Sequence, residues 1–271
     1  MNVIVIAATS DIATELCVRW KKIGYQVTGT YFSKSSNYEM LTENEVPLVH
    51  CDLKKHDSID EAAKKIEEIA PAWDSIIFAP GTQEPVGPFA KVSIDQWSDS
   101  IQVNFVNQLR LLHRLLPNRN PTKEEKSVIF FAGGGTNNTV LNYSAYTVSK
   151  IALIKMCELL DSEIEDVKFS ILGPGWVKTK IHQATIEAGE GFAGANYQKT
   201  KEKLSSDECV PVDKVLDSIE WIMQQPKNVV GGRNFSTVFD RWGTQELSSL
   251  LSDNPDLYKL RRYGNEALVK N

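Results

Sequence analysis

Residues 3–8 form an unbroken apolar run, VIVIAA, and the apolar residues that follow it, Ile12, Leu16, Trp20 and Ile23, recur at helical spacing until Gly24. A short run with no polar alternation is the pattern of a strand covered on both faces, which is the situation of a central strand in a parallel sheet. Thr9, Ser10 and Asp11, lying between run and helix, are helix-capping residue types, so the chain opens as strand, turn and helix. The alternation then repeats. Strands are predicted over residues 26–31, 47–51, 73–79, 127–132, 168–172 and 233–239, and helices over 57–69, 95–116 and 143–164. Strands separated by helices pair in parallel through right-handed crossovers, which predicts an α/β fold, a Rossmann-like doubly wound sheet with helices on both faces. In such sheets ligands bind beyond the carboxyl ends of the strands, which directs attention to the loops starting at Ala7, Tyr31, Asp52, Ala79, Ala132 and Gly173.

No stretch rich in Pro, Gly or Ser divides the chain, so residues 1–271 are expected to form a single domain, and 42% hydrophobic residues suffice for its core. A net charge of -5 with no dense Lys/Arg block argues against a nucleic-acid partner. With no basic leader and no apolar run near the roughly 20 residues of a membrane span, the expectation is a cytoplasmic protein with no membrane association. Cys17, Cys51, Cys157 and Cys209 include no CxxC pair, so reduced thiols and no bound metal are expected.

The most informative side chains lie in YSAYTVSK, residues 143–150, where Tyr146 and Lys150 stand four apart on one helix face. A cation beside a phenol favours phenolate and pulls its pKa toward the working range, which would let Tyr146 exchange a proton with a carbonyl or alcohol oxygen. A bare YxxxK also occurs on ordinary helices, so order along the fold has to decide between the two readings. Here the pair opens the helix after the fifth strand, and in that place it resembles the active-site helix of the short-chain dehydrogenase/reductase family. Further segments are similar to family elements in the family's order: Cys51-Asp52-Leu53 after strand three, Gly81 in Ala79-Pro80-Gly81 after strand four, IQVN ending at Asn104, and Pro174-Gly175-Trp176-Val177-Lys178-Thr179 after strand six. The resemblance implies that Asp52 and Leu53 frame an adenine and that Asn104 supports a proton path to Lys150. It also implies that Pro174, Gly175, Val177 and Thr179 hold a nicotinamide carboxamide, with Trp176 beside the ring.

The chain departs from the family at three loops, one of them Phe78-Ala79-Pro80-Gly81, where the family favours two asparagines, an alanine and a glycine. The family's first loop, TGxxxGxG, is here Ala7-Ala8-Thr9-Ser10-Asp11-Ile12-Ala13, with Ala7, Asp11 and Ala13 at the glycine positions. Ala7, Thr9, Ser10, Asp11 and Ile12 remain the expected pyrophosphate contacts, with Asp11 tolerable if it turns away. The family's catalytic serine position falls on Gly133 in Gly133-Gly134-Gly135-Thr136. Thr136 is the favoured substitute, Thr139, Asn137 and Asn138 are alternatives, and slow or absent turnover is a further one.

After strand two, Tyr31-Phe32-Ser33-Lys34-Ser35 carries no acid that would bond a ribose 2′-hydroxyl, and Ser33 and Lys34 suit a 2′-phosphate, which favours NADP over NAD. Residues 180–210 are polar and glycine-containing and read as a substrate lid, with His182, Phe192 and Tyr197 as pocket residues, facing a small carbonyl or alcohol substrate of sugar-like character. Surplus apolar surface on the helices over 95–116 and 143–164 predicts a homodimer or homotetramer. The function expected is an NAD(P)-dependent oxidoreductase with Tyr146, Lys150, Asn104 and Thr136 in its active site. The rivals are a dinucleotide-binding regulatory or scaffold protein, and a sugar-nucleotide epimerase or dehydratase.

Overall fold

The structure is a computed structural model and describes residues 1–262, so the tail 263–271 of the expected domain lies outside the described residues. The strands are β1 (Asn2–Ile6), β2 (Gln26–Tyr31), β3 (Leu48–His50), β4 (Ser75–Phe78), β5 (Lys126–Phe131), β6 (Val167–Gly173) and β7 (Arg233–Ser236). The α-helices are α1 (Asp11–Lys22), α2 (Ser36–Glu43), α3 (His56–Ile69), α4 (Ile94–Ile101), α5 (Asn107–Leu115), α6 (Ser144–Glu163), α7 (Gln183–Ala193), α8 (Ala195–Ser205), α9 (Val212–Gln224), α10 (Lys227–Val230) and α11 (Gln245–Asp253).

Among the described residues all strand pairs are parallel and the sheet runs β3-β2-β1-β4-β5-β6-β7. The order reverses at β1 and β4, whose carboxyl ends therefore diverge into a crevice. The apolar run of β1 is explained by a period of two in side-chain direction. Ile4 and Ile6 enter the core layer under α3, α5 and α6, while Val3 and Val5 enter the opposite layer with α1 and α9, and all four are at most 1% exposed.

The structure corrects the single helix expected over 95–116. Between α4 and α5 the chain makes a π turn, Gln102–Val106, and a 3-10 turn, Leu116–Asn118, follows α5. The wide turn is held by the Gln108 side chain, whose Nε2 donates to the carbonyls of Val103 and Asn104 at 3.2 and 3.0 Å. Such single π turns occur often at functional sites. The last strand ends at Ser236 rather than 239. α2 was unannounced because only Leu41 of its residues is buried, which leaves too little apolar periodicity to read.

Candidate active site

Tyr146 and Lys150 lie in the first two turns of α6, at the floor of a cleft of about 1180 Å³ beyond the carboxyl ends of the strands. Lys150 is 2% exposed, and its Nζ donates to the Pro80 carbonyl at 3.4 Å and sits 5.8 Å from the centre of the Tyr146 ring. Burial pulls the Lys150 pKa down to about 8 and pushes the Tyr146 phenol up to about 12. The expected lowering of Tyr146 by its lysine is therefore corrected: desolvation prevails, and Tyr146 keeps its proton at neutral pH.

The loop after β1 retains a glycine-like backbone without the glycine. Ala7 has φ 59°, a left-handed conformation, and its amide donates to Thr30 Oγ1 at 2.8 Å. Ser10 occupies the N-cap of α1 but makes no side-chain cap, so the first-turn amides lack that partner. Asp11 turns away from this terminus. Its Oδ2 accepts from the Lys180 amide at 2.7 Å and its Oδ1 from Asn37 Nδ2 at 3.1 Å, which ties α1 to α2 and to the loop after β6. Asn37 also donates to the Thr9 carbonyl at 3.0 Å. Ser10, Asp11 and Ile12 line the cleft, and so do Ala79, Pro80 and Gly81 from the loop after β4.

Asn104 is fully buried and does not line the cleft. Its Oδ1 accepts from the Thr82 amide and its Nδ2 donates to the Thr82 carbonyl, both at 2.9 Å, so it fixes the loop that follows Gly81. A Cβ at Gly81 would meet Ile181 Cδ1 at 3.6 Å, Asn104 Oδ1 at 3.8 Å and Lys150 Nζ at 3.9 Å, all ordinary contacts.

The loop after β5 explains the absent serine. A Cβ on Gly133 would lie 2.6 Å from Tyr146 Cε1 and 2.9 Å from its hydroxyl oxygen, so the tyrosine ring occupies the space a side chain would need. Gly135 has φ +103°, and a Cβ there would meet Thr147 Cγ2 at 2.5 Å. Thr136, Asn137 and Asn138 line the cleft, whereas Thr139 does not.

After β6, Pro174, Gly175, Val177 and Thr179 line the opposite wall, and Trp176 stacks on His182 with ring centres 4.0 Å apart. His182 lines the cleft; its Nε2 pairs with the Val177 carbonyl at 2.9 Å, and burial lowers its pKa. The segment expected as a lid is a pair of helices, α7 and α8, broken at Gly189 (φ +70°) and Gly194 (φ +60°). Phe192 and Tyr197 are corrected as pocket residues. Phe192 packs at Gly87, and Tyr197 against the cluster of Val86, Tyr143 and Ala193.

Of the remaining expected contacts, Ala7, Thr9, Tyr31, Ser33, Lys34, Asp52 and Leu53 lie outside the cleft lining. Asp52 Oδ1 accepts from the Lys54 amide at 2.9 Å and stabilises its own loop, while the Tyr31 ring meets those of Tyr38 and His50 edge-on. Sequence reasoning missed a polar chain in the wall. Tyr143 Oη and Thr185 Oγ1 are 2.7 Å apart, and Thr185 donates to Gln83 Oε1 at 3.2 Å, which links the residue before α6, α7 and the loop after β4. No local pattern marks these residues, since each comes from a different segment.

With this geometry in view, the comparison with protein families is decisive: the short chain dehydrogenase model matches residues 1–189. The chain belongs to the short-chain dehydrogenase family. An uncharacterised oxidoreductase of Schizosaccharomyces pombe is 24% identical over 168 residues, 61% of this chain and 65% of that protein. One from Escherichia coli K12 is 26% identical over 182 residues, 66% of this chain and 67% of its own length. The chain thus spans about two thirds of the curated relatives it matches. Solved structures agree in fold. A short-chain dehydrogenase/reductase of Saccharomyces cerevisiae superposes with TM-score 0.78 at 18% identity, covering 92% of this chain and 98% of that one. A short-chain dehydrogenase of Shigella flexneri 2a, complexed with NADP, gives 0.71 at 18% identity, covering 87% and 96%. Among the described residues no helix is long and apolar enough to cross a membrane.

Proposed function

We propose that this member of the short-chain dehydrogenase family is an NADP-preferring oxidoreductase that interconverts a carbonyl and an alcohol. The observation that carries this reading is the pair of half-buried Tyr146 and buried Lys150, set between the uncapped N-terminus of α1 and the Pro174–Thr179 wall. Those surroundings suit a dinucleotide: helix amides without a side-chain cap and a positive dipole end for pyrophosphate, and Gly81 in the cleft lining near Lys150. NADPH held there would supply the hydride. Tyr146, protonated at neutral pH, supplies the proton to the carbonyl oxygen, and Lys150 holds positive charge beneath it as the phenolate forms. The tyrosine is reprotonated afterwards.

NADP preference is supported by the approach to α2. Lys34 lies 5.5 Å over the Tyr38 ring, Ser35 leaves the α2 N-terminus without a side-chain cap, and no acid intervenes from Tyr31 to Ser35. Residues 1–271 act in this reading as one domain in the cytoplasm, with 180–210 as the substrate lid over a hydroxyl-bearing, sugar-like substrate. Exposed Val106, Val148 and Leu159, along the π turn and α6, support a homodimer or homotetramer.

Equilibrium titration with NADPH and NADH, followed by nucleotide fluorescence, tests the reading. NADPH is expected to bind at least tenfold more tightly than NADH, and Lys150→Ala to weaken it. No binding of either nucleotide would sink the oxidoreductase reading. One observation favours a second reading, a dinucleotide-binding protein without turnover: the tyrosine ring fills the place of the family's serine at Gly133. Tight NADPH binding with no oxidation of it across a panel of aldehydes and ketones would select that alternative.

A further inference from the structure

The helix pair over the cleft carries charge that proton transfer at Tyr146 does not use. Asn196, Lys199, Thr200 and Lys203 lie on the face of α8 that lines the cleft, at offsets that put them on one side of a helix. Lys203 is held there by an aromatic stack, its Nζ 5.7 Å over the Trp176 ring, which rests on His182. Thr200, between the two lysines on this face, is only 7% exposed and lines the cleft. The neighbouring cations Lys178 and Lys180 each meet a carboxylate at 3.8 Å, Asp207 and Asp11 respectively. Lys199 and Lys203 have none within 4.0 Å among the described residues.

The acidic groups on the cleft walls are Asp11, Glu84 and Glu187. Asp11 is engaged by Lys180 and Asn37, and neither glutamate reaches the two lysines. Like charges four residues apart on a helix repel. In a chain of net charge -5, two such cations at a cleft with the threonine Thr200 between them fit an anion.

We propose that Lys199 and Lys203, with Thr200 as hydrogen-bond donor, bind an anionic group of the substrate, a phosphate or a carboxylate. This rests on the oxidoreductase reading for the carbonyl end of that substrate. The cofactor's own phosphates are allotted there to the α1 N-terminus and residues 33–35, so the lid pair serves the substrate.

The test is calorimetric titration of NADPH-saturated full-length protein with inorganic pyrophosphate and with citrate. Saturable binding of at least one is expected. Lys199→Gln with Lys203→Gln should weaken it by about tenfold or more, since charge-assisted bonds are lost. NADPH affinity should stay within about twofold. Lys201→Gln, on the same helix but over the Tyr197 ring, should change nothing. Pyrophosphate alone binding identifies a phosphate group, and citrate alone a carboxylate. The proposal is overturned if the wild-type protein binds neither anion, or if the double variant binds as the wild type does. If NADPH itself fails to bind, the oxidoreductase reading falls, and the same titration of nucleotide-free wild type and double variant still decides the lysine pair.

Discussion

The loops after β1 and β5 differ from their family relatives in opposite senses. The first has lost glycines, and the second has a glycine where a side chain is usual. After β1 the backbone still makes the left-handed turn, with Ala7 at φ 59° in a conformation that a Cβ disfavours by roughly 1–2 kcal/mol. The hydrogen bond from the Ala7 amide to Thr30 and the strand register on both sides hold it there. After β5 the backbone at Gly133 needs no special freedom, and glycine is required by the Tyr146 ring against it. A glycine motif therefore reports two separate things, a backbone torsion and a close approach. This chain keeps the torsion without glycine at one loop and uses glycine for contact at the other.

The largest effect bearing on this contrast is expected from Tyr146→Phe. It keeps the ring against Gly133 but removes the proton, so turnover should fall by about 10²–10⁴-fold with NADPH affinity preserved, measured by NADPH oxidation and by titration. Equal turnover in wild type and variant would show that the ring at Gly133 is only a packing element.

The pH profile comes next. Lys150 titrates near 8, so kcat/KM for reduction should hold through neutral pH and decline up to about tenfold per unit above pH 8 as its charge is lost. Its folded pKa lies below the unfolded value, so the unfolded state binds more protons between these values, and the lysine's contribution to stability rises from pH 8 toward 10. Activity and that contribution to stability should thus move in opposite directions, and Lys150→Met should remove both slopes. Chemical denaturation at several pH values reads the second.

Gly133→Ser would restore the family's residue type at the β5 loop. Its Cβ must displace the tyrosine ring, so we expect a loss of about 1–3 kcal/mol in urea unfolding together with lower activity. A stable, faster variant would break the comparison, because it would show the contact with Tyr146 to be dispensable.

The smallest effect is expected for Ala7→Gly, which relieves the left-handed alanine but adds freedom to the unfolded chain. Unfolding should show a net gain of no more than about 1 kcal/mol, with NADPH affinity unchanged within about threefold. A loss of stability would mean that the loop depends on the alanine methyl.

Much of this was legible in the sequence, because strand and helix periodicities are local. The apolar run at residues 3–8 announced β1, the Tyr146–Lys150 spacing placed both groups on one face of α6, and the segments from Asp52 to Thr179 carried the family. The illegible parts join distant segments. Asp11 reaches the Lys180 amide 169 positions away, and Asn104 is used up in fastening Thr82. The Tyr143–Thr185–Gln83 chain draws on three segments at once. Even the chemistry of Tyr146 was misjudged from spacing alone, since its pKa answers to burial more than to the neighbouring cation.

The sequence by itself determined the order of the strands, the end of the sheet where a ligand belongs, and the residue types available there. Those follow from side-chain periodicity and from the geometry of parallel crossovers. Only the tertiary structure decided what those residues touch: the ring that excludes a side chain at Gly133, the carboxylate that turns from the helix terminus to the lid, and the lysines of α8 set over the cleft. Contact and desolvation depend on which surfaces meet across the fold, and no local pattern in the chain encodes that meeting.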